Sequence, residues 1–572
     1  MDNVSFQSTR SQNAVRGTES VLNEFKMALS ALRIWSFVGI WATILVFSFL
    51  SAQFTTPVEK DALVCLIKSR FPSINGNISC KVNGQFETFK LKTALELSRP
   101  YYTSFFERSK ILGSLSSLAF FFTLAGFWYF TRRRGKHLVT DTHVRGAKRI
   151  LESELRETVL ASGMGSDLSL GGVPLLKGRE TEHMVISGAT GAGKSVAMKE
   201  LMDTVRRREQ PAVVYDTSGE FVSQYYREGI DIILNPFDAR SHSWSIWSEI
   251  REPFDYDTLA SNLIPGSQGD DVFWSTAART LFSSIARRLY QEKMHEDGQL
   301  FYYANTAQLG ELHKFLHGTP GAALMDPASE KTAASIRATL ANAIRMWPYL
   351  GSTKEKKLFS IRNFIENETG ADAWLFITCR ADQHALLKPL LSCWIAQAVT
   401  ATLSLSENRD RKIWFFLDEL ASLQRIAISD LLERGRKYGA ACVIGFQALS
   451  QLRTIYGADG ASTILQNCKT GLFLQAVDAE TAKAVSQACG NEEILETGES
   501  QSLGLDDHRN GVNLSRRRVV RPTVMDSEFL RMPKLTGILR LPDDYAVTKI
   551  TLKPKDRPIL APEFVSVGKS PC

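Results

Sequence analysis

Gly188–Ser195 reads GATGAGKS, and the residues on either side of it decide the fold class. The apolar run before it, His183–Ser187 (HMVIS), has the length of a buried strand, and Ser195 onward (SVAMKELMDTVRRR) has helical periodicity. Strand, glycine-rich turn and helix in that order form the context in which G-x-x-x-x-G-K-[ST] binds phosphate. Gly188, Ala189, Thr190, Gly191, Ala192, Gly193, Lys194 and Ser195 are therefore the expected nucleotide-binding residues. Glycines let backbone N–H groups converge on phosphate oxygens at the helix start. Lys194 then neutralises β and γ oxygens, and Ser195 offers its hydroxyl to Mg2+.

From about Leu168 onward, short apolar runs alternate with helical stretches, which predicts a parallel sheet with helices on both faces. A phosphate loop needs a second strand that delivers carboxylates to the metal and the attacking water. Ile413–Leu417 (IWFFL) followed by Asp418 and Glu419 supplies it: Asp418 is expected to hold Mg2+, and Glu419 to polarise the water. A third strand, Ala441–Phe446 (ACVIGF), ends at Gln447, which is either a γ-phosphate sensor or a polar strand cap. Leu431–Gly439 (LLERGRKYG) reads as a helix ending in cations and glycine. Arg436 in it is either an arginine finger for a neighbouring subunit or part of a solvated helix end beside Arg434 and Lys437. Leu168–Gly172 (LSLGG) has the look of an ABC-transporter signature but precedes the phosphate loop, which excludes that class.

Two further stretches stand apart. Ile34–Phe54 has no charged residue over 21 positions, and Ile111–Phe130 has none over 20, each enough for a membrane-spanning helix. Arg132, Arg133, Arg134 and Lys136 follow the second run, and Lys26 and Arg33 precede the first, which places both termini in the cytoplasm. The loop between them would then face an oxidising periplasm, where Cys65 and Cys80 either form a disulfide or stay as thiols. The other six cysteines should remain reduced, and neither Cys nor His spacing predicts a zinc site. A length of 572 residues implies more than one folding unit, and a net charge of +7 is too small to argue nucleic-acid binding by itself.

With these parts in this order the chain resembles the type IV coupling proteins of conjugation, most closely their F-type branch. The resemblance is carried by Val214–Tyr226 (VYDTSGEFVSQYY), Leu234–Arg240 (LNPFDAR), Phe273 and Trp274 ahead of a helix with Ala277 and Arg279, and Lys331–Arg337 (KTAASIR). Trp374–Ile377 (WLFI), Leu387–Leu391 (LKPLL) and Arg557–Phe564 (RPILAPEF) also match. It implies an α/β, RecA-like P-loop nucleotide-binding domain with an inserted all-α domain, behind an N-terminal two-helix transmembrane anchor. The segments would be 1–33 cytoplasmic, 34–54 first span, 55–110 periplasmic loop, 111–130 second span, 131–250 and 352–572 nucleotide domain, and 251–351 insert.

The implied protein is an inner-membrane ATPase, hexameric, that uses ATP and Mg2+ to deliver single-stranded plasmid DNA with its relaxase to the type IV secretion channel. By the same resemblance Arg436 falls where the trans arginine is expected, and Arg337 is a second candidate for contact across the subunit interface. Asp216 and Glu220 match as well, Asp216 as a carboxylate that orients the site through hydrogen bonds. The F-type branch carries a long acidic tail that recruits an accessory protein; no such stretch follows Phe564 here, so selection by that route is not expected. Three other readings are a coupling ATPase that recruits protein effectors without DNA, an FtsK-like duplex translocase and a non-catalytic docking scaffold. The translocase would bring more spans and a terminal DNA-reading domain. Intact Lys194, Asp418 and Glu419 argue against the scaffold.

Overall fold

In the computed structural model the described residues are 10–71, 76–82, 85–139, 142–266, 272–350, 358–366, 372–502 and 511–567, with no description of side chains at 10–28, 82, 131–139, 497–502 or 511–514. The first nine residues of the expected cytoplasmic segment, the side chains of Arg132, Arg133, Arg134, Lys136 and Lys26, the insert boundary at Gly351, and Cys572 lie outside the described residues or side chains. The chain divides into two compact units, 1–142 with 495–519, and 143–494 with 520–572.

In the first unit the two apolar runs lie within longer helices, Arg10–Phe54 and Leu91–Val139. Leu29–Phe54 and Leu91–Phe130 are long and apolar enough to cross a membrane, and their apolar side chains are largely exposed. The helices pack on each other: Trp35 stacks on Phe127 at 4.9 Å. At Gly39 any Cβ would lie 2.7 Å from the Phe120 ring, so only glycine admits this approach. The stretch between them is structured. Helix Pro57–Lys68 starts at a capping box, in which Thr56 N–H donates to Glu59 Oε2 (3.0 Å) and Glu59 N–H donates to Thr56 Oγ1 (3.4 Å). A hairpin pairs Asn77–Val82 with Gln85–Lys90, and the Cys65–Cys80 disulfide joins helix to hairpin. Of the two alternatives for this pair, the bridge is the one formed.

In the second unit a sheet of ten strands runs in the spatial order Arg149–Ile150, Val547–Thr551, Thr536–Arg540, Thr470–Phe473, Met184–Ser187, Ala440–Phe446, Ile413–Leu417, Ala212–Asp216, Trp374–Thr378 and Ile232–Leu234. The strands from Thr470–Phe473 to Ile232–Leu234 are all parallel. Thr536–Arg540 pairs antiparallel with Thr470–Phe473 and with Val547–Thr551, so the sheet is mixed and not wholly parallel. Nearly continuous β-branched and aromatic runs such as Ile413–Leu417 are buried on both faces, as parallel strands must be. A third membrane-length helix, Ala381–Leu403, is mostly buried inside this unit and is a core helix.

One sheet face carries the phosphate-loop helix, with Met198, Leu201 and Met202 against Val214, Phe376 and Phe416. The opposite face, including Val213, Phe415 and Ile444, shares one core with the helices Asp255–Leu263, Val272–Gln291 and Glu330–Ile344 of the all-helical stretch. Both ends of that stretch are clamped. Buried Glu249 accepts hydrogen bonds from Trp244 Nε1 and from the N–H groups of Ile361 and Arg362. Arg362 is bidentate to Asp255 at 3.0 and 2.7 Å.

Candidate nucleotide site

Parallel strands that lie side by side deliver their following loops to one edge of the sheet, where ligands of open α/β folds bind. Here four adjacent strands do so. Met184–Ser187 leads to the glycine loop, Ala440–Phe446 to Gln447, Ile413–Leu417 to Asp418 and Glu419, and Ala212–Asp216 to Thr217. The register puts Ser187 opposite Phe446, and Leu417 opposite both Ile444 and Tyr215, so the four ends lie within two residues of one another. Every sequence-predicted site residue except Arg436 and Arg337 comes to this edge.

The loop depends on glycine in two ways. Gly193 has φ +120°, a conformation side chains rarely adopt, and it leads into helix Lys194–Arg207. At Gly188 a Cβ would sit 2.8 Å from Leu474 Cβ. Lys194 Nζ donates to Gly188 O at 2.9 Å. Burial lowers the Lys194 pKa, and the carboxylates of Glu419 and Asp418 offset part of that. Thr190 Oγ1 donates to Gln447 Oε1 at 2.9 Å, so Gln447 touches the loop itself.

Asp418 accepts a hydrogen bond from Thr217 Oγ1 at 3.1 Å. Burial, with the like charge of Asp216, pushes its pKa up to about 6. Burial raises Glu419 further, to about 7, although Lys194 and the nearby Gln447 favour its charged form. Both Glu419 carboxylate oxygens are buried and neither meets a donor in hydrogen-bond geometry. Acceptors left without partners beside a buried lysine and a glycine loop fit a site built for a water and a metal-bound phosphate. The surrounding cavity, about 640 Å³, is walled by the loop, Thr217, Glu220, His384, Asp418, Glu419 and Gln447.

Asp216 is wholly buried. Its carboxylate accepts from the N–H groups of Ser218, Gly219, Phe221 and Val222 at 3.0, 2.8, 2.8 and 3.0 Å. Burial raises its pKa against those four donors. These bonds fold the loop that presents Thr217 to Asp418. Glu220 forms an ion pair with Lys199.

The LNPFDAR and RPILAPEF segments, far apart in sequence, bind each other and this loop. Arg240 donates to Pro562 O (2.8 Å), Ala239 N–H to Val565 O (2.7 Å), and Leu560 N–H to Ser223 O (2.7 Å). Arg557 closes the strap on Asp203 at 2.8 Å.

Arg436 does not line the cavity of its own chain. The helix expected over 431–439 is α-helical only to Arg434; Arg436 lies on a 3₁₀ turn, Gly435–Tyr438. It pairs with Glu182 at 3.0 Å and helps to wall a separate cavity of about 900 Å³ with Arg409, Arg434 and Lys437. Arg337 is half-buried in the helical stretch, with Nε donating to Ala304 O at 3.2 Å. Sequence reasoning missed Thr217, His384 and Ser422. Only Thr217 carried a signal, as the polar residue straight after a buried strand. Ser422 is drawn in by Tyr215, whose hydroxyl lies 2.7 Å away.

Residues 167–553 match the family model of the type IV secretion-system coupling protein DNA-binding domain. The chain is similar to the coupling protein TraD of Escherichia coli (strain K12), 32% identical over 492 residues that make up 84% of this chain and 68% of that protein. Among solved structures it is similar to the unbound bacterial conjugative coupling protein TrwBdeltaN70, with TM-score 0.67 and 29% identity over 74% of this chain and 97% of that one. It is equally similar to the plasmid coupling protein TrwB in complex with ADP and Mg2+, with TM-score 0.66 and 29% identity over 75% and 98%.

Proposed function

Because the chain belongs to the type IV secretion-system coupling proteins, we propose that it is the inner-membrane ATPase that hands single-stranded DNA and its attached relaxase to the transfer channel. The observation that carries the motor reading is the buried Glu419 carboxylate, which no donor meets in full hydrogen-bond geometry, beside Lys194 and Asp418. A site that only holds nucleotide has no need of a second buried carboxylate beside the metal-binding one.

In this reading the glycine loop and Lys194 bind the β and γ phosphates of ATP, and Ser195 and Asp418 hold Mg2+. Bound there, Mg2+ supplies charge neutralisation at the phosphate oxygens. Glu419 orients the attacking water and accepts its proton, and Gln447 reports γ-phosphate occupancy to the loop through Thr190. The TrwB complexes with ADP and Mg2+ and with a non-hydrolysable ATP analogue support this ligand set. Arg436, exposed and outside its own cavity, serves the site of the next subunit in a homo-hexamer. The helices containing 34–54 and 111–130 cross the inner membrane with both termini in the cytoplasm, which puts the disulfide-linked stretch in the periplasm. DNA is favoured over protein effectors as cargo because the matching family model is a DNA-binding domain.

The test is ATP turnover by the full chain in lipid nanodiscs. Single-stranded DNA should raise turnover several-fold, and Glu419→Gln should abolish it. Turnover indifferent to DNA would favour protein cargo. Equal rates for wild type and Glu419→Gln would overturn the motor reading.

A further inference from the structure

The residues at the foot of the phosphate-loop strand are engaged in something other than phosphate. Thr181, Glu182 and His183 are all buried, and the strand Met184–Ser187 follows at once. Glu182 has only 8% of its side chain exposed, and it holds two arginines. Arg179 binds Glu182 Oε1 and turns its other nitrogen to Asp543 at 2.9 Å. Arg436 binds the same carboxylate at 3.0 Å, yet 61% of its side chain stays exposed. Glu182 thus grips one edge of the Arg436 guanidinium and leaves the rest of a five-donor fork facing outward.

His183 braces the same junction from inside. Its Nδ1 accepts from Cys442 N–H at 3.3 Å, which makes Nε2 the protonated nitrogen, and this donates to Leu432 O at 3.1 Å. Leu432 lies in helix Ile428–Arg434, which leads straight into the turn bearing Arg436. The backbone of His183 is held at φ 58°, ψ 157°, a region costly for any residue but glycine. Such a conformation persists only where surrounding contacts determine it, and both ring nitrogens are engaged here. Burial, with Arg436 nearby, keeps the ring neutral, its pKa down at about 4.

We propose that Glu182 is the positioning residue for Arg436, so that the strand carrying one subunit's phosphate loop also sets the angle at which its arginine enters the neighbour's site. This rests on the reading of Arg436 as a trans finger. Nucleotide that shifts the loop strand in one subunit would then move the arginine presented to the next, through Glu182 directly and through His183 and Leu432.

The experiment uses the full chain in nanodiscs, with ATP turnover and nucleotide affinity measured separately. Glu182→Gln keeps the shape but loses the charge that holds Arg436. It is expected to lower kcat about 10- to 100-fold, the scale of an ångström-sized misplacement, with affinity for ATP within about twofold. Glu182→Asp, which keeps the charge but withdraws it by one methylene, should show a smaller loss in the same direction. Arg179→Ala, which removes the other partner, should leave kcat near wild type.

Subunit mixing then separates cis from trans. Glu182→Gln subunits have an intact phosphate loop, and Lys194→Ala subunits have an intact arginine, so their mixtures should recover turnover above either parent. Mixtures of Arg436→Ala with Lys194→Ala should recover in the same way. Recovery in the second mixture but not the first would overturn the role of Glu182 and leave the finger standing. Recovery in neither would remove the finger reading and this inference with it. A normal kcat in both Glu182 variants, or a loss in Arg179→Ala as large as in Glu182→Gln, would also overturn the proposal.

Discussion

Thr190 Oγ1 and Gln447 Oε1 are joined by a 2.9 Å hydrogen bond that ties the crown of the phosphate loop to the end of the neighbouring strand. The bond uses the oxygen of the amide and leaves its N–H2 donors for other work, including the approach to Glu419 that favours the charged carboxylate. Gln447 is therefore placed between the glycine loop and Glu419.

Gln447→Ala removes that link without touching Lys194 or Ser195. Nucleotide affinity should change by less than about threefold, while kcat should fall about tenfold, equivalent to the net worth of one hydrogen bond in the transition state. Steady-state turnover together with equilibrium binding of a fluorescent ADP separates the two effects. A loss confined to affinity would assign Gln447 to binding alone.

Glu419 makes stability depend on pH in a direction opposite to that of a salt-bridged carboxylate. Its pKa rises from an ordinary 4.5 to about 7 in the folded chain, so the fold prefers the protonated form. The associated stability is full below about 4.5 and is lost as pH rises through about 7. Glu419→Gln should therefore be more stable than wild type at pH 8, by about 1–2 kcal/mol after allowing for partial exposure. The gap should close as pH falls towards 4.5. Urea denaturation of the nucleotide-free proteins at both ends of this window measures it; a gap that widens on acidification would contradict the assignment.

Asp216→Ala leaves four backbone N–H groups facing a void where a carboxylate had accepted all of them. The expected cost is about 2–4 kcal/mol, since buried donors would lose their partners together. Thr217 would lose its fixed place against Asp418, so turnover should fall with stability. A variant of unchanged denaturation midpoint would show that the loop folds without this anchor.

Cys65 and Cys80 should be inert to alkylation in intact cells and become reactive only after reduction, because they are bridged. Cys379, Cys393, Cys442, Cys468 and Cys489 are buried and should resist labelling until the chain is unfolded. Mass spectrometry after alkylation reads both, with a membrane-impermeant reagent on intact cells for the bridged pair and with the detergent-solubilised chain, folded and unfolded, for the buried five. Labelling of Cys65 without reductant would show an open bridge.

The chemistry of the site was legible in sequence because it is carried by short, local patterns. GATGAGKS with its flanks, and IWFFL followed by Asp418 and Glu419, each declare a strand end by apolar run length and the polar break after it. The helix expected after Phe273 and Trp274 is Val272–Gln291, which takes those two residues into its first turn. Long-range pairing was not. Nothing local states that Thr536–Arg540 and Val547–Thr551 extend the sheet antiparallel, because the direction of pairing is set by how the chain connects the strands and not by the residues within each strand. The strap formed by RPILAPEF on LNPFDAR is equally hidden, since its bonds are mostly to backbone atoms that any residue supplies. Arg436 was singled out from its cationic neighbours by the resemblance alone, whereas its partner Glu182 sits in an unremarkable turn about 250 residues earlier.

The order of strands in the sheet also sets a timetable for synthesis. Met184–Ser187 lies between Ala440–Phe446 and Thr470–Phe473, so the phosphate-loop strand has no sheet neighbour until about 250 further residues have left the ribosome. The exposed membrane-length helices Leu29–Phe54 and Leu91–Phe130 precede all of this and are available for insertion first. In the proposed topology a nascent chain is tethered long before its candidate nucleotide site can close, and such late, non-local pairing makes folding slow. Assembly of the motor would then take place on a two-dimensional surface already populated by its own copies.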